Sequence, residues 1–589
     1  MCGICGEIRF DGSPADPSSV HTMNQIQQPR GPDGSGLFAS NSVAFGHRRL
    51  SIIDISTRSS QPMVDHELGI ALVFNGAIYN YPDLKEELQK KGYRFFSSGD
   101  TEVLIKAYHA WGEQFVKRLN GMFAFALWER DSGKIVMGRD RLGIKPLYYS
   151  MLSHGMRFAS SLPALLPFAD IDRSIDRNAL HAYMTFHSVV PPPLTLVKGI
   201  RKLPPATITV LESDGTRRDI KYWEPLFVPD RKPDFEEWQE RVLTVLRRSV
   251  QRRLIADVPV GVLLSGGLDS SLVVGLLAEA GASDLKTFSV GFEAVRGEKG
   301  DEFEYSDIVS KRFSTHHHRI FVESDRTLDN LEKCVRSMSE PMVSHDNIGF
   351  YLLSEEVAKH VKVVQSGQGA DEVFAGYHWY PPMMNSKNPL QDYAKVFFDR
   401  SHDEYRNAVS SEFVSEDFSL EYVSKHFGHD GAENPVDKAL RIDTTVMLVD
   451  DPVKRVDNMT MAWGLEARVP FLDHEIVELA ASIPAEFKIS GGGKHVLKEA
   501  ARRVIPAEVI DRPKGYFPVP ALKYLQGPYL QRVNDILNHS NSGRHRLFNS
   551  TYVAELLKHP EKHITPLGGS KLWQIALLHY WLQLHGLEE

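Results

Sequence analysis

The chain has 589 residues, which is too long for one hydrophobic core and predicts at least two domains. Its formal net charge of -8 at pH 7 argues against general nucleic-acid binding. No apolar run approaches the ~20 residues that a membrane span needs, and three cysteines are too few for a disulfide scaffold. These features predict a cytoplasmic protein with no membrane or nucleic-acid partner.

The N-terminal part of the chain is rich in predicted strands. Short β-branched runs at 43–54 and 70–80 are bounded by Gly, Asn and Asp, and a hairpin is predicted over 122–140 around a DSG turn. A helix is predicted over 101–112, with Asp100 as its cap. Strands with a few helices indicate a layered α+β domain.

Proline-rich segments between 185 and 235 predict loops and a domain boundary near 228–237. Beyond them, short apolar runs alternate with predicted helices, which indicates a parallel α/β sheet. These runs are at 259–264, 286–292, 318–322 and 361–367. Residues 380–450 and the C-terminal end of the chain are predicted to be helical.

Cys2 directly follows the initiator methionine, so removal of Met1 would make it the N-terminal residue. Its thiol would then lie beside a free α-amine with a pKa of about 8, which can serve as a built-in base. Cys2 and Cys5 also form a C-x-x-C spacing. A thioredoxin-type site needs a preceding strand, and a zinc site needs more ligands than Cys334 can add. Cys5 is therefore predicted to be a small buried residue.

Five further motifs follow Cys2 along the chain. They are RGPDGSG (30–36), HRRLSIID (47–54), NGAIYN (75–80), SGDTE (98–102) and GMFAFALW (121–128). Together with MCGICG they resemble the class II, N-terminal-nucleophile glutamine amidotransferases. The resemblance implies that Cys2 attacks glutamine and that the Asn75 amide and the Gly76 N–H form an oxyanion hole. It also implies that Arg49 binds the α-carboxylate of glutamine and Asp100 its α-ammonium.

The segment LLSGGLDSS (263–271) lies between a predicted strand and a predicted helix. Glycines let the backbone approach a phosphate, and a helix N-terminus favours the negative charge. The pattern resembles the pyrophosphate loop of the N-type ATP pyrophosphatases and differs from the G-x-x-x-x-G-K-[ST] loop of kinases. The resemblance implies cleavage of ATP to AMP and pyrophosphate, with Asp269 holding Mg²⁺.

A second glycine loop, SGQGADEVFAGY (366–377), implies another magnesium ligand at Asp371. Segments 457–473 and 492–506 resemble signatures of the asparagine synthetase B family. In that family the lysine that corresponds to Lys494 stabilises charge on the transferring phosphorus. The residues that these resemblances place around ATP are Leu264, Ser265, Gly266, Gly267, Asp269, Ser270, Val290, Ser366 and Gly367.

The family resemblance extends from the N-terminus to about residue 525. It implies an α+β N-terminal-nucleophile hydrolase sandwich (αββα) over 1–228, with a core at 1–160 and the remainder strands and linker. An α/β parallel-sheet ATP pyrophosphatase domain with added helices would follow over 229–589. The implied reactants are ATP with Mg²⁺, glutamine and a small carboxylate, and a homodimer is an assembly that the chain could form.

Two departures from the family pattern bear on the acceptor. The usual N-G-E-I-Y-N is NGAIYN here, so Ala77 lacks a carboxylate near the substrate amine. The usual S-G-E-G-x-D-E is SGQGADE, so Gln368 lacks one beside the acyl-adenylate. MCGICGEIRFDG and HAYMTFHSVVPPP resemble the N-acetylglutaminylglutamine amidotransferases, an osmolyte-pathway branch of the family. That branch amidates the C-terminal carboxylate of an acetylated dipeptide, and aspartate is the alternative acceptor.

Two other function classes are less consistent with the sequence. A glutaminase that serves a sugar-phosphate acceptor would lack SGGLDSS, which is present. A non-catalytic binding protein would be expected to lose the nucleophile or the ATP-site residues. Cys2, Asp269, Asp371 and Lys494 are all present.

Overall fold

The computed structural model describes residues 2–293, 300–513, 525–538 and 547–587. Met1, whose removal the sequence predicts, and part of the C-terminal region predicted to be helical lie outside the described residues. Within the described ranges, no helix is both long and apolar enough to cross a lipid bilayer.

The strands described up to residue 221 form two six-stranded antiparallel sheets. The order is β10-β8-β9-β1-β3-β2 in the first sheet and β12-β11-β7-β6-β5-β4 in the second. The strands are β1 Gly3–Arg9, β2 Gly34–Ser40, β3 Val43–Arg49, β4 Met63–Asp65, β5 Ile70–Ile78, β6 Gly121–Glu129, β7 Ile135–Arg139, β8 Tyr148–Leu152, β9 Gly155–Ala159, β10 Arg201–Lys202, β11 Thr207–Leu211 and β12 Arg217–Lys221. The helices are α1 Pro17–Ile26, α2 Tyr81–Lys90, α3 Asp100–Trp111 and α4 Arg177–Thr185.

Strand β5 illustrates how these layers pack. Successive side chains of a strand face opposite sides of the sheet. Ala71 and Val73 therefore lie in the core between the two sheets, together with Phe45 of the first sheet. Leu72 and Phe74 face the other way and pack with residues of α2 and α3. Helix α1 packs on the first sheet, which completes the predicted αββα sandwich.

The predicted capping role of Asp100 is wrong. Helix α3 begins at Asp100 itself, and Gly99 occupies the cap position. The Asp100 carboxylate instead accepts a hydrogen bond from the backbone N–H of Ile78 at 3.0 Å. The end of β5 competes successfully for this side chain, so it is directed towards the strand.

A five-stranded parallel sheet lies in the second half of the chain, as predicted. Its order is β15-β14-β13-β16-β17. Its strands are β13 Val260–Leu263, β14 Lys286–Phe292, β15 His316–Val322, β16 Val363–Gln365 and β17 Glu466–Arg468. Strands β14 and β15 lie on one side of β13, and β16 and β17 lie on the other, so the strand order reverses at β13. Ligands of such sheets bind beyond the carboxyl ends of the strands, at the point where the order reverses. The crevice expected here follows β13 and β16.

Helices cover this sheet and extend beyond it. They are α5 Phe235–Arg252, α6 Leu268–Glu279, α7 Phe303–Phe313, α8 Ser324–Arg336, α9 Asp346–Val357, α10 Ala370–Val373, α11 Tyr380–Met383, α12 Pro389–Phe397, α13 His402–Ala408, α14 Phe418–Gly428, α15 Pro435–Ile442, α16 Lys454–Met461, α17 His474–Ser482, α18 Ala485–Ile489, α19 His495–Ala501, α20 Ala507–Ile510, α21 Pro528–Asn538, α22 Ser550–Lys558 and α23 Lys571–Leu584. Two π-helical turns over 443–453 directly precede α16.

An apolar cluster joins the two halves of the chain. Ala77 and Met122 of the second sheet, and Tyr79 directly after β5, are buried in one cluster with Val469 and Leu472 from the second half. Removing apolar surface from water stabilises such contacts by roughly 25 cal/mol per Å². The cluster holds the end of β5 against the segment that follows β17.

Candidate functional site

Cys2 lies at the start of β1, and its side chain is buried beside a small cavity. Its backbone nitrogen donates to Asn75 Oδ1 at 2.9 Å. The other end of that amide, Nδ2, is buried and has no hydrogen-bond partner among the described residues. An unpaired buried N–H is costly. This donor is therefore well suited to an oxyanion that develops next to the Cys2 sulfur.

Gly76 follows Asn75 on β5 and lines the same cavity as Cys2. A Cβ at this position would lie 2.1 Å from the carbonyl oxygen of Met122 on β6. Only glycine permits this close approach of the two strands. The two predicted oxyanion donors, Asn75 and Gly76, are thus adjacent residues beside the thiol.

Arg49 and Asp100, the residues expected to bind the two ends of glutamine, line this cavity as well. The Arg49 guanidinium donates to the carbonyl oxygen of Ser56 at 2.8 Å and to that of Asp54. These bonds hold it in a fixed orientation. Burial raises the pKa of Asp100 to about 6, although the N–H of Ile78 opposes this shift.

The raised pKa of Asp100 predicts a pH dependence of glutamine use. Asp100 must be ionised to bind an α-ammonium, and protons compete with glutamine below its pKa. We expect kcat/KM for glutamine to fall about tenfold for each pH unit below 6. Glutaminase assays across pH 4.5–8 test this, with Asp100→Asn as the control that lacks the titrating group. A wild-type profile that is flat through pH 6 would contradict the assignment.

Two residues distant in sequence, Glu466 and Arg468 of β17, also line the Cys2 cavity. Arg468 Nε donates to Glu466 Oε1 at 2.6 Å, and Arg468 Nη1 donates to the carbonyl oxygens of Arg253 and Ile255. The backbone N–H of Ser366 donates to the carbonyl oxygen of Arg468 at 2.8 Å. Strand β17 therefore contacts both the glutamine cavity and the second glycine loop. Neither residue was predicted from the sequence, although both lie within the 457–473 signature.

A buried ion cluster links the two halves next to Cys2. Arg30 Nε donates to the Cys2 carbonyl oxygen at 3.3 Å, and Arg30 Nη1 donates to Asp457 Oδ2 at 2.9 Å. Lys145 Nζ donates to the other oxygen of Asp457 at 3.3 Å. Burial alone would raise the pKa of Asp457, but Arg30 and Lys145 outweigh it and lower the pKa. Helix α16, which carries Asp457, is thereby connected to Cys2 through Arg30.

The predicted pyrophosphate loop connects β13 to α6. The Ser265 backbone N–H donates to Ser270 Oγ at 3.2 Å, and the two hydroxyl oxygens lie 3.1 Å apart. Gly266 has a φ of 74°, in the left-handed region that favours glycine, and a Cβ there would lie 2.6 Å from the backbone nitrogen of Ser306. The loop thus ends at the N-terminus of α6, an arrangement that favours bound phosphate.

The second glycine loop packs directly on the first. A Cβ at Gly367 would lie 2.8 Å from the backbone nitrogen of Ser270. A large cavity extends from this contact, in the crevice beyond β13 and β16. Gly266 lies within the first loop, and the other predicted ATP residues line the cavity: Leu264, Ser265, Gly267, Asp269, Ser270, Val290, Ser366 and Gly367.

Lys494 joins the two loops at the wall of this cavity. Its Nζ lies 2.7 Å from Asp269 Oδ2 and 2.9 Å from Asp371 Oδ1. Burial alone would lower the pKa of Lys494, but the two carboxylates outweigh it and raise the pKa. Its φ of 54° is uncommon for a side-chain-bearing residue, and such strain is typical of functional sites. The ammonium is thus fixed between the two proposed metal ligands.

Gly376 is a further residue at this site, and it was not predicted from the sequence. A Cβ there would lie 2.0 Å from Asp371 Oδ1 and 2.3 Å from Lys494 Cε. The carboxylate and the lysine can meet only because this position has no side chain. The glycine of the FAGY segment was the available signal.

The chemistry of Asp269 and Asp371 fits Mg²⁺. Both carboxylates reach one cation, the Lys494 ammonium, within 3 Å, so their negative charges converge. Mg²⁺ prefers oxygen ligands and usually combines one or two carboxylates with phosphate oxygens. These two residues could therefore hold the metal next to the phosphates of ATP.

Comparison with known proteins agrees with this two-site geometry. Residues 241–583 match the asparagine synthase family model, and residues 1–223 match the glutamine amidotransferase domain model. The chain belongs to the glutamine-hydrolysing asparagine synthetase family. As a member of this family it is an ATP-dependent, AMP-forming carbon–nitrogen ligase that takes its nitrogen from glutamine. Its acceptor is a carboxylate.

Relatives of this asparagine synthetase family member include proteins from Bacillus subtilis and Escherichia coli. Glutamine-hydrolyzing asparagine synthetase 1 of Bacillus subtilis (strain 168) is 32% identical, with 99% of this chain and 96% of the relative covered. Asparagine synthetase 3 of the same strain is 29% identical, with 100% and 99% covered. Asparagine synthetase B of Escherichia coli (strain K12) is 28% identical, with 88% and 82% covered.

Proposed function

We propose that this family member amidates the C-terminal carboxylate of N-acetylglutaminylglutamine. The observation that carries the proposal is Gln368, which lies in the wall of the ATP cavity where the usual family loop has a glutamate. A carboxylate beside the acceptor attracts an α-ammonium, whereas a neutral amide suits an N-acylated acceptor that has none. The resemblance of the N-terminus and of HAYMTFHSVVPPP to the dipeptide branch of the family supports the same acceptor.

In the glutaminase half, the Cys2 sulfur attacks the side-chain amide carbon of glutamine. Burial raises the pKa of the Cys2 thiol, so a base must take its proton. The α-amine of Cys2, free once Met1 is removed, is adjacent and passes the proton to the leaving nitrogen. Asn75 Nδ2 and the Gly76 N–H stabilise the oxyanion. Ammonia leaves, and water hydrolyses the thioester to glutamate.

In the synthetase half, an oxygen of the acceptor carboxylate attacks the α-phosphorus of ATP, and pyrophosphate leaves. Lys494 stabilises the charge on the transferring phosphorus, and the loop hydroxyls of Ser265 and Ser270 bind the pyrophosphate. When bound by Asp269 and Asp371, Mg²⁺ would neutralise phosphate charge. Ammonia then attacks the acyl carbon, and AMP leaves. The cytoplasmic location expected from the sequence is part of the proposal, and a homodimer is an assembly that is compatible with it.

Aspartate is the second candidate acceptor. The relatives that cover the chain end to end carry the name asparagine synthetase. Aspartate brings an α-ammonium and a second carboxylate into the cavity. Glu372, which also lines it, would be available to an ammonium.

An acceptor screen tests the proposal. We expect pyrophosphate release with ATP, glutamine and N-acetylglutaminylglutamine to exceed that with aspartate by about 100-fold in kcat/KM. Gln368→Glu is the matched variant, because its carboxylate would repel the acceptor carboxylate before activation, without an ammonium to offset it. We expect this variant to lose about tenfold with the dipeptide and to keep its glutaminase rate. Efficient use of aspartate with an inert dipeptide would overturn the proposal.

A further inference from the structure

Three side chains of metal-binding type converge where the glutaminase half of the chain meets the synthetase half. They are His181 of α4, His402 at the start of α13 and Asp417, which caps α14. One ligand atom from each residue lies within 4.8 Å of the other two. None of the three lines the glutamine cavity or the ATP cavity. The cluster is therefore separate from the reaction proposed above.

The distances within this cluster match those of a metal site. His181 Nε2 lies 3.1 Å from His402 Nδ1 and 3.7 Å from Asp417 Oδ1. Zn²⁺ binds imidazole nitrogen and carboxylate oxygen at about 2.0–2.2 Å in tetrahedral geometry, which places neighbouring ligand atoms about 3.3–3.5 Å apart. The two measured distances lie just on either side of this range. Small movements of the side chains would therefore bring all three atoms to one ion.

Two hydroxyl groups fix the tautomer of His181. The Thr185 hydroxyl donates its only proton to the His181 carbonyl oxygen at 2.7 Å. The Ser419 hydroxyl must then donate to Thr185 Oγ1, which is also 2.7 Å away. Neither hydroxyl has a proton left for His181 Nδ1, which lies 3.2 Å from both oxygens, so Nδ1 carries the proton and donates it. The lone pair is on Nε2, and hydrogen bonds of this kind from the other ring nitrogen orient most metal-binding histidines.

The surroundings of the cluster keep the ligands in the state that a metal needs. His181 is fully buried, and burial lowers its pKa to about 3, so its imidazole stays neutral and keeps the Nε2 lone pair. The Asp417 side chain is 34% exposed and His402 is half-buried, so an ion reaches the cluster from their side. The ion would replace the proton shared by His181 Nε2 and His402 Nδ1, and that proton would move to His402 Nε2.

We propose that His181, His402 and Asp417 bind one Zn²⁺ ion, with a water molecule completing its coordination. Two imidazole nitrogens and a carboxylate oxygen are ligands that Zn²⁺ takes, whereas Mg²⁺ prefers oxygen ligands. The site is thus distinct in chemistry from the carboxylate pair of the ATP cavity. The ion joins α4 of the glutaminase half to α13 and α14 of the synthetase half. Its binding stabilises the contact between the two halves, because the three ligands come together only in the folded chain.

Zinc retention by the full-length enzyme tests the site directly. The protein is stripped with a chelator, incubated with excess Zn²⁺ and passed through gel filtration, and the zinc per chain is measured by mass spectrometry. We expect the wild type to retain about one more Zn²⁺ per chain than His402→Gln. Glutamine keeps a hydrogen-bond donor for His181 Nε2, so this variant should fold. Asp417→Asn keeps the cap acceptor for the Leu420 N–H and should weaken Zn²⁺ binding at least about tenfold.

His318→Gln is the matched control for zinc retention. The His318 ring centroid lies 4.4 Å from that of His360, but in the described part of the chain no third His, Cys, Asp or Glu joins this pair. This variant should retain as much Zn²⁺ as the wild type. Zn²⁺ should also raise the midpoint of thermal unfolding by about 2 °C or more in the wild type and leave it unchanged in His402→Gln. The proposal is wrong if the wild type retains no more Zn²⁺ than His402→Gln, or if His318→Gln loses as much.

Discussion

A Cys2→Ala variant should lose glutamine-dependent synthesis by more than about 10³-fold, because no other group can form the thioester. Its ammonium-dependent synthesis should stay within about twofold of the wild type. The two reactions use separate cavities, and the alanine keeps the Cβ and the backbone bond to Asn75 Oδ1. Pyrophosphate release with glutamine or with ammonium chloride, at a saturating acceptor concentration, measures both activities in one assay.

Cys5→Ala is the matched control for this variant. Cys5 is fully buried in β1, and burial raises the pKa of its thiol far above the usual range. The Cys5→Ala variant should therefore keep both the glutamine-dependent and the ammonium-dependent activity. If Cys2→Ala were inactive with both nitrogen sources while its thermal unfolding matched the wild type, the two-cavity scheme would be wrong.

The parts of the fold that depend on local pattern were predictable from sequence. The β-branched runs predicted β3, β5 and the β6–β7 hairpin. The alternation of strands and helices predicted the parallel sheet. The loop residues between Ser265 and Ser270 are neighbours in the chain, so their proximity followed from the motif. The prediction that Asp100 caps helix α3 was wrong because the N–H of Ile78, at the end of a distant strand, binds its carboxylate.

Contacts between the two halves were outside the reach of sequence patterns. Glu466 lies in the Cys2 cavity because the segment that follows β17 packs against the end of β5, more than 380 residues away in the chain. Arg455 and Asp457 are two residues apart on α16, yet one lines the ATP cavity and the other pairs with Arg30 beside Cys2. Neither spacing nor composition encodes such placements. They depend on the docking of complete layers.

Helix α16 and strand β17 each line one cavity and are hydrogen-bonded to a residue at the other. Arg30 donates both to Asp457 of α16 and to the Cys2 carbonyl oxygen. The backbone carbonyl oxygen of Arg468 in β17 accepts a hydrogen bond from the N–H of Ser366 in the second glycine loop. Both connections are buried and hydrogen-bonded. We expect this packing to shield ammonia from water as it passes between the cavities, so that it stays unprotonated and nucleophilic.

Lys494→Ala should lower kcat for synthesis by about 10² to 10³-fold, the usual cost of removing a donor to developing charge. The loss should be the same with glutamine and with ammonium, because Lys494 belongs to the ATP cavity. The glutaminase rate should not change. Removal of the ammonium also leaves Asp269 and Asp371, each within 3 Å of it, to repel one another. Part of the loss should therefore be recovered at high Mg²⁺, which neutralises both carboxylates.

Lys498→Met separates this specific role from a general effect of positive charge. Lys498 lies one turn further along α19, lines the same cavity, and donates to the Gly491 carbonyl oxygen at 3.2 Å. Its loss should change kcat by less than about threefold, because Lys494 is the ammonium that lies between Asp269 and Asp371. Single-turnover formation of AMP with ammonium as the nitrogen source measures the chemical step directly. If Lys498→Met and Lys494→Ala slowed that step equally, Lys494 would be acting only through the net charge of the cavity. An unchanged rate in Lys494→Ala would exclude it from the reaction altogether.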